Sequence, residues 1–460
     1  MKKFNLNRDM ICLFLILVLM FLNMPLASAI TTTESTPDGL TQSQSLSLTE
    51  ALDIADKNNP QLVVARKAVD IAQAGIAIAN EIPNPIIFAQ NSAGPFVALG
   101  VANGIGISQT VELAGKRKKR KQLAKSQYQL AIDQLNVARW DIREQTRQSY
   151  AAYASAVANK ETLDLLVDYA KNFVNIAETR LKAGACPEAD VVQARLTLSQ
   201  MATQENQALS QIKQTQVALN NLLGISMLND TTQGYTINDY GIFKLSAKKT
   251  ELIPLPTQKP LDVDILYAKA IKARPDLIAA MQQVKVMQDQ IKLIKAQRIP
   301  DPQISPIYGY LTPNSMDIPA SQSGKSYLQG ITLQVSMTAP IFHNQGPELK
   351  QANVALQQAQ LQVDATIKQL KNDIRAAYLS YEIDIKNIEV YQNKLIPDAK
   401  TNLELAQLSY QYGKSPLANV ILAQQNQQQI IQNYLQTVTS FQNDWAKLEQ
   451  AVGEPLAPSL

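Results

Sequence analysis

Few residues of this chain could do chemistry, and their scarcity limits what it does. His343 is the one histidine in 460 residues, and Cys12 and Cys186 are the two cysteines. Imidazole and thiolate are common ligands for zinc and copper, but a site needs three or four of them converging. Cys186 and His343 stand far apart in sequence, so one chain offers no resident metal centre, and only copies around an axis would bring like ligands together. Two Gly-Lys-Ser triplets, at 324–326 and 413–415, suggest a phosphate loop, yet Pro319 and Leu408 stand where it needs its upstream glycine. No serine nucleophile motif or paired-histidine helix occurs. These counts speak against an enzyme and call for no cofactor.

The strongest charge feature is the run Lys116, Arg117, Lys118, Lys119, Arg120, Lys121. A basic hexamer is a nucleic-acid or targeting signal in other settings. Here it lacks interleaved aromatics, follows a secretory leader, and opens a long helical pattern whose dipole it opposes. Lipid headgroups or carboxylates of a neighbouring subunit are therefore the expected counter-charges, and nucleic acid is not expected. With 43 basic and 39 acidic residues the chain is otherwise balanced at +4.

The elements that position these residues begin after residue 29. Lys2, Lys3 and Arg8, the apolar run Ile11 to Phe21, and Ala27-Ser28-Ala29 have the order of a cleaved signal peptide of the Sec pathway. An uncleaved anchor is the alternative. Cys12 lies inside the apolar run rather than at a cleavage junction, so no lipid-attachment signature is present, and the mature chain keeps one thiol, Cys186. Aromatics at 6% and sparse Gly and Pro then indicate a helix-rich chain.

Between Lys116 and Leu223 the only Gly and Pro are Gly184 and Pro187, and between Glu348 and Val452 the only Gly is Gly413, followed by Pro416. Helix interiors exclude both residue types and tight turns need them, so the spacing predicts two long helical hairpins with arms over about 116–182 and 347–411. In the second arm Leu349, Leu356, Val363, Leu370 and Ala377 recur every seven residues, with Ile367, Ile374, Tyr381, Ile388 and Leu395 offset by four. That is a heptad seam, weakened at Asn353, Gln360 and Asp384, and Pro397 is expected to interrupt the arm.

The chain also repeats. Asn59-Pro60-Gln61-Leu62 is echoed by Arg274-Pro275-Asp276-Leu277, and Ile82-Pro83-Asn84-Pro85 by Ile299-Pro300-Asp301-Pro302. Residues 181–194 and 410–423 share Gly, Pro, Ala, Val and Ala at a constant offset of 229. Each half thus reads helix, β pair, long helix, turn, returning helix. Strands are expected at about 84–91, 104–113, 302–311 and 327–340. Ile331, Leu333, Val335 and Met337 alternate with Thr332, Gln334, Ser336 and Thr338, a pattern that fits a membrane barrel strand or a half-buried soluble strand. Four strands cannot close a barrel, and open edges in lipid leave backbone groups unpaired. Three copies would supply twelve.

Val111-Glu112-Leu113-Ala114-Gly115-Lys116-Arg117 is similar to the ELGGKR motif, and Ala339-Pro340-Ile341-Phe342-His343-Asn344-Gln345-Gly346 to the LPLF-x-RNQG motif, of the TolC-like outer-membrane efflux channels, heavy-metal type of CzcC and CusC. Ala114 replaces a glycine and His343-Asn344 stands where Arg-Asn is commoner. The resemblance covers nearly the whole mature chain. It implies a mainly α fold with β: two tandem repeats with long coiled-coil hairpins and four strands per chain. It further implies a homotrimer closing a twelve-stranded outer-membrane barrel over an α-helical periplasmic tunnel.

By the same resemblance the chain is the passive exit duct of a Gram-negative tripartite system. A pump of the resistance-nodulation-division class in the inner membrane and a periplasmic adaptor would be its partners, and heavy-metal cations its cargo. Gly184, Ala185, Cys186, Pro187, Gly413, Lys414, Ser415 and Pro416 would be the adaptor-contact tips. Asn419 and Leu422 occupy places where some family channels carry acids, and Asp190 keeps an acid in the first repeat. Asp190 reads equally as part of a tunnel aperture or as a helix-start acid favoured by the dipole. Export of drugs or secreted protein, and a periplasmic coiled-coil scaffold without a pore, remain the other readings. The expected organisation is signal 1–29, linker 30–45, first repeat 46–224, connecting segment 225–260, second repeat 261–453 and tail 454–460.

Overall fold

A computed structural model describes residues 46–91, 103–225, 262–311, 328–342 and 344–456. The leader and linker, most of the connecting segment, His343 and the triplet at 324–326 lie outside these residues. The first half contains α1 (Leu48–Asn58), α2 (Pro60–Ala79), β1 (Ile86–Asn91), β2 (Asn103–Thr110), α3 (Lys116–Lys182) and α4 (Glu188–Leu223). The second repeats that order with α5 (Val263–Ala273), α6 (Pro275–Gln297), β3 (Pro302–Leu311), β4 (Leu328–Met337), α7 (Gly346–Val390), α8 (Ile396–Gln411) and α9 (Leu417–Val452). Helix α3 runs 67 residues without a break, about 100 Å at 1.5 Å per residue.

The repeated dipeptides act as helix starts. Pro60 and Pro275 each open a helix, where a missing N–H costs nothing. Leu62 and Leu277, two residues on, are both buried at the base of their own repeat. Leu62 joins Ala51, Ala55, Ile142, Tyr150, Tyr153 and Leu219, and Leu277 joins Leu266, Leu370, Ile374 and Leu448. A third cluster, near the hairpin turns, draws from both repeats: Phe173, Ala177, Val191 and Ala194 pack with Leu403, Tyr410, Val420 and Ala423.

The heptad seam is realised with two differences. Leu370, Ile374, Ala377, Tyr381 and Ile388 are buried as spaced, with Tyr381 between the rings of Phe441 and Trp445, both 5.2 Å away. Toward the start of α7, Ala352 and Ala359 are buried while Asn353 and Gln360 face outward. There α7 packs on α6, Ala352 clustering with Ile291 and Ile294 and flanked by Leu349 and Leu356, so this neighbour rather than the bare heptad sets the buried face. Asp384 is half-buried, and burial with the Asp444 carboxylate nearby pushes its own carboxyl up.

The arm is interrupted at Pro397 as expected, by a π turn rather than by a break in the chain's helical path. This turn, at Tyr391–Leu395, precedes the proline and is closed by the Ile396 N–H donating to the Tyr391 carbonyl, and α8 continues from there. The wider turn relieves the clash a proline ring makes with the carbonyl four residues back.

Strands from both halves form one antiparallel sheet in the order β1-β2-β3-β4. Register places Ile87 opposite Ile107, Ile105 opposite Tyr308, Tyr308 opposite Ile331, Pro306 opposite Leu333 and Ile304 opposite Val335. These residues share one apolar face. Ile331 and Leu333 on it are 79% and 65% exposed, values unlike those of a packed core. The other face carries Thr332, Gln334, Ser336 and the Ser305 hydroxyl, which donates to Ser108 Oγ at 2.9 Å. There Phe88 and Ile307 close over Gly106, where a Cβ would lie 2.6 Å from the Phe88 ring. Strands β2 and β4 end at Thr110 and Met337, short of the expected 113 and 340. No described helix is long and apolar enough to cross a membrane.

The phase of the α7 seam is directly testable. Ala352→Asp buries an unpaired charge and lowers stability by several kcal/mol, whereas Asn353→Asp one residue later leaves the denaturation midpoint within experimental error. The reverse order, with the charge at 353 costly and that at 352 neutral, would place the seam as the bare heptad does.

Candidate functional site

Two regions concentrate the residues singled out by sequence: the joint where β2 passes into α3, and the two hairpin turns. At the joint the chain must change from strand to helix within five residues. Ala114 and Gly115 do so with φ of 56° and 65°. Glycine is the natural occupant of that left-handed region, so Ala114 carries strain where a glycine would carry none. Gln345, the residue before α7, takes φ 60° in the corresponding place of the second repeat.

Charge holds the joint closed. Asp301, at the head of β3, accepts from the Leu113 backbone N–H at 2.8 Å and pairs with Lys116 Nζ at 2.8 Å. Arg120 pairs with Glu112 and also donates to the Ala79 and Glu81 carbonyls at the end of α2. Lys119 donates to the Ala114 carbonyl. Counter-charge for two of the six, Lys116 and Arg120, thus comes from this chain itself. Arg117 and Lys118 are exposed and Lys121 half-buried, none with a partner among the described residues. Asp301 is the residue of this joint that the sequence does not single out. Its place in the repeated Ile-Pro-x-Pro motif, against Asn84 in the first copy, was the available signal.

The two turns are the same motif. Gly184 and Gly413 take φ of 66° and 70°, and Pro187 and Pro416 precede the returning helices in extended conformation. The Ala185 N–H donates to the Arg180 carbonyl and the Lys414 N–H to that of Ser409, each at 2.8 Å, closing a Schellman turn. Gly184, Ala185 and Pro187 are exposed, as are Gly413, Lys414 and Pro416, with Cys186 and Ser415 half-exposed.

Arg180 ties the turns together. Its guanidinium stacks 4.4 Å above the Tyr410 ring, donates to the Tyr410 carbonyl, and donates to the Ala185 carbonyl at 3.0 Å. Burial, with the Asp190 carboxylate next in effect, pushes the Tyr410 phenol up to about 12. Asp190 is half-buried in the first turn of α4. Asn419 is exposed and donates to Ser415 Oγ at 2.8 Å, and Leu422 is 62% exposed on the same helix. The Cys186 thiol donates to the Ala177 carbonyl at 3.4 Å. Among the described residues no group of His, Cys, Asp or Glu is arranged to hold a metal ion.

Comparison with known proteins agrees with this anatomy. Residues 51–225 and 266–454, one segment per repeat, match the family described as outer membrane efflux protein. The cobalt-zinc-cadmium resistance protein CzcC of Cupriavidus metallidurans is 22% identical over 379 residues, 82% of this chain and 83% of that protein. Among solved structures, the Campylobacter jejuni outer membrane channel CmeC superposes with TM-score 0.66 at 19% identity, covering 89% of this chain and 86% of its own. CusC, described with transmembrane channel formation, gives 0.66 at 18% identity over 89% and 92%. These likenesses are of fold.

Two substitutions test the geometry. Ala114→Gly relieves the left-handed strain and raises stability by up to about 1 kcal/mol in thermal unfolding; a loss would mean that the alanine is not strained. Arg180→Ala costs about 1–3 kcal/mol at the tip, read as faster tryptic cleavage after Lys182 and Lys414. The raised Tyr410 phenol favours the folded state while it is protonated. That contribution is complete below pH 10, the ordinary tyrosine value, and disappears as pH rises to about 12.

Proposed function

The chain belongs to the outer membrane efflux protein family, a family of channels rather than enzymes, and from that premise we propose that it is the exit duct of a tripartite heavy-metal efflux system. The observation that carries the reading is the sheet. It pairs an exposed apolar face with outer edges at β1 and β4 that are free among the described residues, and it is joined directly to helical arms about 100 Å long. Ten-residue strands span about 33 Å, and a tilt of 35–45° brings that near the apolar thickness of a barrel wall. In this reading three copies contribute four strands each to one closed barrel, and the arms pack side by side into a periplasmic tunnel.

The turns at Gly184–Pro187 and Gly413–Pro416 then form the inner end of the tunnel and meet the adaptor. Their exposure and their identical geometry in both repeats support this, since a hairpin adaptor would meet two equivalent sockets per copy. Three Asp190 carboxylates around the axis would favour cations at the narrowest point. The inner-membrane pump, of the resistance-nodulation-division class, supplies the energy, and metal choice resides there and in the adaptor. The heavy-metal assignment rests on similarity to CzcC, a resistance protein for cobalt, zinc and cadmium. A copper or silver pump is compatible with the same duct.

Deletion of the gene tests the cargo. Growth is expected to fail on zinc, cobalt and cadmium, or on copper and silver, with drug and solvent tolerance unchanged. The opposite pattern would assign the duct to organic compounds, and loss of a secreted protein would assign it to protein export.

A further inference from the structure

All four passages between strand and helix expose apolar side chains at one level. Ile82 lies before β1, Val111 after β2, Ile299 before β3, and Ile341 and Phe342 after β4; Phe342 is fully exposed. Immediately beyond this collar, on the helical side, the charge is one-sided. Segments 79–85, 111–125, 289–301 and 338–350 hold eleven Lys and Arg against five Asp and Glu. The carboxylates are largely spent inside the chain: Asp301 on Lys116, Glu112 on Arg120, and Asp289 on Lys292 and the Ser126 hydroxyl. Exposed cations remain on three separate helices, namely Arg117, Lys118 and Lys125 on α3, Lys295 on α6 with Arg298 at its end, and Lys350 on α7.

An apolar band followed by unneutralised cations is complementary to one kind of surface, acyl chains under anionic phosphates. We propose that this rim docks anionic glycerophospholipid headgroups of the membrane leaflet facing the helical arms, with Arg117, Lys118 and Lys121 as the principal contacts. The inference deepens the outer-membrane reading above and rests on it. Lys118, Lys121 and Lys125 recur at i, i+3 and i+7 and so line one face of α3. The internally paired Lys116 and Arg120 point elsewhere, to β3 and to the end of α2. Their division of labour explains why a run of six like charges is tolerated at a helix start: part of it fastens the joint, and the rest is left for an external anion.

The test uses the full mature chain in nanodiscs of equal phosphatidylethanolamine and phosphatidylglycerol, with the lipids retained on transfer to detergent counted by native mass spectrometry. Phosphatidylglycerol should be retained over phosphatidylethanolamine by at least about fivefold, the worth of one well-placed cation. The combined change Arg117→Gln, Lys118→Gln, Lys121→Gln should bring that ratio to about one without loss of assembly. The charge-preserving set Arg117→Lys, Lys118→Arg, Lys121→Arg should keep it. Equal retention of both lipids by the unaltered chain, in particles that assemble and conduct, would overturn the headgroup proposal alone. A chain that enters neither lipid would overturn the channel reading and this inference with it.

Discussion

Backbone groups on a strand edge must be hydrogen-bonded wherever water is absent, and the rest of this molecule follows from that requirement. The sheet presents an apolar face across all four strands, yet among the described residues β1 and β4 each have one side unpaired. In hydrocarbon each unpaired group costs several kcal/mol. Closure by further copies would remove the edges, and a closed barrel would in turn set where the helices begin. The long arms, the joints and the paired turns are solutions to problems that closure creates.

The joints show how the change from strand to helix is held. Left-handed residues reverse the chain at Ala114 and Gly115, and Asp301 ties the second repeat to the first by receiving both the Leu113 N–H and the Lys116 ammonium. At the far end Arg180 does comparable work, linking the turn of one repeat to Tyr410 of the other. Between these fastenings the arms need only a seam of apolar residues. Duplication makes this economical, since one helix–strand–helix–turn unit supplies both halves and differs where the halves touch: Asp301 against Asn84, and Arg180 against Ser409.

Most of the architecture could be read from punctuation and period. Gly and Pro are so rare in the arms that the hairpin turns were marked within a residue or two, and the alternation at Ile331 to Met337 located β4 and its apolar face. What escaped had physical reasons. The buried stripe at the start of α7 follows its packing on α6, where Ala352 meets Ile291 and Ile294, and small alanines give little signal. Pro397 marks the interruption of the arm, but propensity does not foresee that it takes the form of a π turn. Asp301–Lys116 and Arg180–Tyr410 join residues 185 and 230 positions apart, and no local pattern encodes such a pair. The basic run was visible at once, but its division into internal and free charges required the positions of Glu112 and Asp301.

Whether the sheet closes only by association is the claim on which the others depend. Single-channel recording of the detergent-purified chain in a planar bilayer, with the mass of the assembly determined in parallel, tests it most directly. Discrete conductance steps from a particle of three chains are the predicted result. A particle that stays monomeric, or that remains soluble without detergent and gives no steps, would contradict the account and leave the hairpins as a scaffold without a pore.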